Sequence, residues 1–213
     1  MAFGTADIVG INRAAAAAPM PAAALLATGL LALAALLKTA SFPVHGWLTE
    51  VMEAPTPVSA LLHAGIINAG GVLLIRFAEP MQASSGAMAM LVMLGGFTAL
   101  FGGLVMLTQP AVKTALAWST CAQMGFMLLQ CGLGLWALAL LHIVAHSLYK
   151  AHAFLGSGGA VQAVQAARRP GPVAVPGIGA VMRAFGIALA IYVAVAGAFW
   201  AAFGPKPVQA VAL

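Results

Sequence analysis

The sequence predicts an all-α, polytopic membrane helix bundle of about six crossings, with a broken helix near residues 38–57. Three observations carry this expectation. Hydrophobic residues fill 63% of the 213 positions and charged residues 6%, and the mean hydropathy is +1.04, a composition foreign to a water-soluble globule. The apolar residues fall into runs long enough to span a bilayer, separated by stretches punctuated with Gly and Pro. Several of the few ionisable residues inside those runs recur at helical spacing. Nine Lys and Arg against four acids give a net charge of +5. These basic residues are scattered rather than gathered into a patch, so they report topology and argue against a nucleic-acid partner. Cys121 and Cys131 lie ten residues apart in one apolar segment and read as small core residues rather than as a disulfide or metal pair. Residues 1–19 contain Arg13 but lack the ordered charged, apolar and cleavage regions of a signal peptide.

In chain order, residues 1–20 form a lead-in in which 14–18 could make an interfacial helical turn. Helix 1 is expected over 21–39. Pro43 cannot donate the backbone bond a continuing helix needs, so the helix breaks there, and a half-helix over 44–53 completes the crossing. Pro55-Thr56-Pro57 ends that piece and starts helix 2, over 57–77, with Pro57 suited to a first helical turn. Glu79-Pro80 stops helix 2. Helix 3 covers 86–107, where Gly95-Gly96 and Gly102-Gly103 offer close approach to a neighbour. Helix 4, over 111–131, is the most polar, carrying Lys113, Ser119, Thr120, Gln123 and Gln130. Helix 5 covers 133–155. The core of the bundle is thus 21–156, followed by a Gly/Pro/Arg loop at 157–177 and a terminal helix and tail at 178–213. Lys113, Arg168, Arg169 and Arg183 fall on one side, and Arg13, Arg76 and Lys206 on the other, which favours a cytoplasmic 157–177 loop.

Ionisable residues at membrane depth are costly and face the protein interior or a wet cavity, which makes each a candidate site. Lys38 stands beside the expected break at Pro43, and either exchanges protons or snorkels from a helix end. His63, within an apolar segment, either titrates near neutrality or is a hydrogen-bonded packing residue. His142, His146 and Lys150 recur every fourth residue, stacking along one face at rises of roughly 6 Å. Such a row suits a water-bridged proton wire. The alternative is a metal site shared by the two histidines, but no HExxH pattern is present and His152 lies on another face. Lys113 begins helix 4 and either joins the polar row or sets topology. No Gly-rich strand-to-helix turn and no Cys framework is present, so no nicotinamide, flavin, iron-sulfur or other cofactor is expected.

Lys38, Phe42-Pro43-Val44-His45, Trp47-Leu48 and 55–63 (PTPVSALLH) together resemble the signature of the antiporter-like membrane subunits shared by respiratory complex I and multi-subunit cation/proton antiporters. The stretches 63–71 (HAGIINAGG) and 118–127 (WSTCAQMGFM) are similar, more narrowly, to the complex I-like membrane subunit of DAB-type inorganic-carbon pumps. The resemblance implies proton translocation along Lys38, His63, Lys113, His142, His146 and Lys150, with the helix broken around Pro43, Pro55 and Pro57. It also implies a bacterial inner-membrane location and a large soluble partner with a carbonic-anhydrase-like zinc site, other membrane subunits being further candidates. Two other functions stay open: subunit L of NADH-quinone oxidoreductase or a cation/proton antiporter, and a truncated, non-conducting scaffold. Members of the family are much longer, with two inverted five-helix units, and this chain resembles a part that starts shortly before the first broken helix. In most members an acid on an earlier helix pairs with the lysine equivalent to Lys38; neither Glu50 nor Glu53 matches it, which favours the scaffold.

Overall fold

A computed structural model describes residues 4–159 and 177–203; the loop expected at 157–177 and the tail beyond 203 lie almost wholly outside the described residues. The chain divides into two units, Met1–Val164 and Gln165–Leu213. Among the described residues every regular element is helical, as the composition predicts. Four helical segments are long and apolar enough to cross a membrane: Thr56–Arg76, Ser85–Leu107, Trp136–Ser157 and Ile178–Ala198. Two further elements bring the number to the expected six, although neither meets the same measure. Helix α2, Ala22–Lys38, has 17 residues, and α8, Val112–Gly132, has 21 but carries the most polar side chains.

The lead-in is more ordered than the sequence suggests. Residues Ile8–Ala17 form α1, capped by Asp7, whose carboxylate accepts the Gly10 N–H at 3.0 Å. Asn12 ties this helix to the core: its amide donates to the Arg76 carbonyl at 3.0 Å and its oxygen accepts the Glu79 N–H at 3.2 Å.

Helix α2 ends at Lys38. The carbonyls freed there are taken by side chains, Thr39 Oγ1 donating to Ala35 at 2.8 Å and Ser41 Oγ to Leu36 at 2.7 Å. The chain then turns through Ala40, whose φ is +49°, and through a cis Phe42–Pro43 bond. The Phe42 N–H is caught by Thr98 Oγ1 at 3.0 Å. The expected half-helix over 44–53 is two short pieces, α3 Gly46–Glu50 and a 3-10 turn Val51–Glu53. Pro55 is the N-cap of α4, Thr56–Ala64, and Pro57 lies in its first turn, as its fixed φ suits.

Helix 2 is not the continuous rod expected over 57–77. It breaks at Gly65 into α4, a 3-10 turn Ile66–Asn68 and α5, Ala69–Arg76. A β-carbon at Gly65 would sit 2.8 Å from the Leu61 carbonyl, so this tight bend requires glycine. Nor does Glu79-Pro80 end the segment: the chain bends at Phe77 and resumes as α6, Ala78–Gln82, with Pro80 inside it.

Helices α7, Ser85–Leu107, and α8 form the most extensive pair. Of the four glycines expected to allow close approach on α7, Gly95 and Gly102 do so; Gly103 faces open space and Gly96 barely touches Leu129. Gly125 and Gly132 on α8 complete the contact from the other side, and a β-carbon at any of the four would approach the opposing backbone within 2.8 Å. Helix α9, Trp136–Ser157, lies against both α4 and α8. The core between these helices holds Leu36, Leu48, Ile67, Met124, Met127 and Leu128. Cys121 and Cys131 are buried free thiols within it. The second unit contributes α10, Ile178–Phe203.

Candidate functional site

The polar groups of this apolar molecule converge where α4, α8 and α9 meet. Lys150, on the third turn of the expected row, is fully buried. Its ammonium donates to the Leu116 carbonyl at 3.0 Å and to Ser119 Oγ at 2.8 Å, both on α8, and the Tyr149 ring centroid lies 5.6 Å away. An amine held by neutral acceptors can hold or pass on a proton without parting an ion pair. At membrane depth such a residue marks a functional site before it marks a packing choice.

Next to Ser119 and one helical turn beyond Leu116, Thr120 donates its hydroxyl to the same Leu116 carbonyl at 3.0 Å and lies 3.1 Å from His63 Nδ1. His63 is fully buried, stacked on Phe154 with centroids 4.3 Å apart and planes inclined by 22°. The break at Gly65 is what connects His63 to α9. The His63 carbonyl accepts His146 Nε2–H at 3.1 Å. The Ala64 carbonyl accepts the Asn68 amide at 2.8 Å, and the same amide donates to Ser147 Oγ at 2.9 Å. A bent helix thus turns backbone carbonyls towards side chains of its neighbour instead of closing them internally. From His146 the row continues to His142, ring centroids 6.0 Å apart, the rise expected for a four-residue step. His142 Nδ1 donates to Gln130 Oε1 at 3.1 Å. His142 and His146 line a cavity of about 380 Å³ that opens between α8 and α9 and is also bounded by Gln123 and Tyr149.

Four of the six ionisable residues singled out in the sequence, His63, His142, His146 and Lys150, therefore lie in one run joined by hydrogen bonds and, between His146 and His142, by a tilted ring contact. Lys113 stands apart: it is half-buried, and its ammonium donates to the Ala54 carbonyl at 2.6 Å, strapping the start of α8 to the linker before α4. Lys38 is not brought in. Against the expectation of an inward-facing lysine it is exposed, because the face of α2 that packs inward is set by Thr28, Ala32, Ala35 and Leu36. His152 is exposed on another face, as its position in the helical repeat predicts. Ser119, Thr120 and Gln130 stood out only as polar residues of one helix. Asn68 and Ser147 were missed, and the signal for Asn68 was an amide in an otherwise apolar run.

The fold and this run of groups define the class: a polytopic helical membrane protein with ionisable side chains linked across the inside of its bundle. A family model described as NADH:quinone oxidoreductase/Mrp antiporter, TM matches residues 1–195. The chain belongs to that family. It is 59% identical over 133 residues to a probable inorganic carbon transporter subunit DabB2 of Halothiobacillus neapolitanus, covering 62% of this chain and 24% of the relative. It is 61% identical over 133 residues to a probable inorganic carbon transporter subunit DabB of Hydrogenovibrio crunogenus, covering 62% of this chain and 26% of the relative. NADH-ubiquinone oxidoreductase chain 5 of Acanthamoeba castellanii is 42% identical over 133 residues, 62% of this chain and 20% of the relative. The solved Mrp complex of Dietzia sp. DQ12-45-1b aligns with a TM-score of 0.62 and 36% identity over 70% of this chain and 16% of that one. The chain thus spans about a quarter of the length of the carbon-transporter relatives it matches.

Proposed function

We propose that this chain is a proton-conducting part of the membrane subunit of an energy-coupled inorganic-carbon uptake complex in a bacterial inner membrane. The observation that carries the proposal is the run from Lys150 through Ser119, Leu116, Thr120 and His63 to His146 and His142, lying between α4, α8 and α9 with Lys150, Thr120, His63 and His146 buried. Protons move between its ionisable members through intervening water, and the cavity beside His142 gives one end of the run access to the outside of the bundle. Lys113 anchors the linker at Ala54 at one end of α8 and supplies a further basic group there. Lys38, exposed at the last residue of α2, is the pathway's outlying member. Higher identity to the carbon-transporter subunits than to the oxidoreductase chain supports the carbon-uptake reading over the respiratory one. In that reading, proton flow down its gradient energises hydration or uptake of carbon dioxide or bicarbonate by a large soluble zinc-containing partner related to carbonic anhydrase.

Proton flux into liposomes tests conduction, and copurification from the native membrane tests the complex. A large zinc-containing soluble protein is expected to copurify; a set of redox subunits in its place refutes the carbon-uptake reading in favour of the respiratory one. Flux no greater than that of empty liposomes would leave the scaffold reading standing. The Lys38→Ala variant separates the outlying lysine from the buried run: its flux is expected to fall several-fold, less than for any change at Lys150. Flux equal to the parent's removes Lys38 from the pathway.

A further inference from the structure

We infer that Thr120 is a positioning residue that fixes the tautomer of His63, leaving Nε2 as the atom through which this histidine takes up and returns a proton. The inference rests on the conduction reading, but its geometry is independent of it. Thr120 has one hydroxyl hydrogen and two neighbours that could receive it: the Leu116 carbonyl at 3.0 Å and His63 Nδ1 at 3.1 Å. A carbonyl oxygen can only accept, whereas an imidazole nitrogen can do either. With the proton on Nδ1, His63 donates to Thr120 Oγ1 and Thr120 donates to Leu116, so both bonds form. With the proton on Nε2, the hydroxyl must turn to Nδ1 and its bond to Leu116 is lost. His63 Nε2 has no hydrogen-bond partner among the described residues, so in either tautomer it is the ring atom left for pathway water. The first tautomer keeps one more bond and is the one this site selects.

Two further contacts hold the arrangement. The Leu116 carbonyl, whose direction the helix fixes, also accepts the Lys150 ammonium at 3.0 Å. The His63 carbonyl accepts His146 Nε2–H, so the backbone on which the ring is mounted is fixed from α9 as well. A proton delivered by a pathway water forms an N–H bond with the Nε2 lone pair, giving an imidazolium that still donates from Nδ1 to Thr120. Return of the proton by the same atom restores the neutral ring. The Phe154 face, stacked at 4.3 Å, favours the cationic state while it lasts. Thr120 itself passes no proton, because its hydroxyl ends on a carbonyl.

Nitrogen-15 NMR of the histidine-labelled chain in lipid nanodiscs reads the tautomer directly, with the His63 signals assigned by their loss in His63→Gln. The parent is expected to show a protonated Nδ1 and a bare Nε2. Thr120→Val, which keeps the shape and removes the acceptor of Nδ1–H, leaves Nε2–H, facing the pathway water, as the better-satisfied form; it is expected to move His63 to that form and to lower proton flux about tenfold or more. Thr120→Ser is expected to restore both. A parent with Nε2–H overturns the inference without any variant. So does Thr120→Val if it keeps the Nδ1–H form, or if the tautomer changes and flux does not. Absence of flux from the parent, with the tautomers as expected, overturns the conduction reading alone.

Discussion

Replacing Lys150 by methionine is expected to reduce proton flux to that of empty liposomes while leaving the chain folded and at least as heat-stable as the parent. The two halves of this expectation have separate causes. Methionine matches the length of the lysine stem and fills the same fully buried space. It removes a charge that the fold holds with a carbonyl, a hydroxyl and the Tyr149 ring, and with no acid among the described residues. Taking a charge out of a low-dielectric interior and replacing it with an apolar group of similar volume is commonly neutral or stabilising. The groups left behind are not stranded: Leu116 keeps the Thr120 hydroxyl, and the Ser119 hydroxyl can turn within its own helix. Stability therefore holds while the pathway loses the amine that stands at one end of the run, on Leu116 and Ser119 of α8. Fluorescence of a trapped pH indicator measures flux, and a thermal melt monitored by circular dichroism measures stability. Parent-like flux in Lys150→Met would move proton transfer away from this run. A large fall in melting temperature would show instead that Lys150 holds α8 and α9 together.

What could be read from the residues and what could not follows the range of the forces involved. The row His142, His146 and Lys150 was legible because one uninterrupted helix fixes its geometry, and the 6.0 Å separation of the first two rings is the repeat of the backbone itself. The break after Lys38 was legible because proline removes a backbone donor wherever it stands. The break at Gly65 was not, because the run 63–71 holds glycines at 65, 70 and 71 and only the position of α9 makes the first of them the bend. Lys38 lies at the expected helix end, but which way it faces is set by which side of α2 packs on α5 and α7, a tertiary fact. The same holds for Thr120: its polarity was visible, and its meaning came from His63 on another helix, 57 positions away in sequence. Helix α1 was passed over because an alanine-rich end promised only a turn, whereas Asp7 caps it and Asn12 fastens it to the joint between α5 and α6.

The second large effect is expected at Gly125, where leucine should lower stability by about 1–3 kcal/mol or more and cut the yield of folded chain. A β-carbon there would sit 2.5 Å from the Ala99 nitrogen, 2.7 Å from the Gly95 carbonyl oxygen and 2.9 Å from the Thr98 carbonyl carbon. All three are backbone atoms of α7, so no side chain can swing aside and the helices must part. Between helices in a bilayer there is little hydrophobic drive to restore the contact, because lipid tails cover the separated faces as well as protein does. The damage also spreads beyond the pair. Thr98, which accepts the Phe42 N–H, belongs to the turn of α7 that would be pushed away, and so the connection after α2 loses its anchor. Helix α8 meanwhile carries Ser119, Thr120 and Gln130, each of which meets a partner on α4 or α9 across distances of 2.8–3.1 Å. A shift of one ångström in α8 would open those bonds. The control lies on α7: Gly103 meets nothing within 4 Å, so Gly103→Leu is expected to melt with the parent. If Gly125→Leu proves as stable as Gly103→Leu, the close approach of α7 and α8 is not what holds the polar run in register.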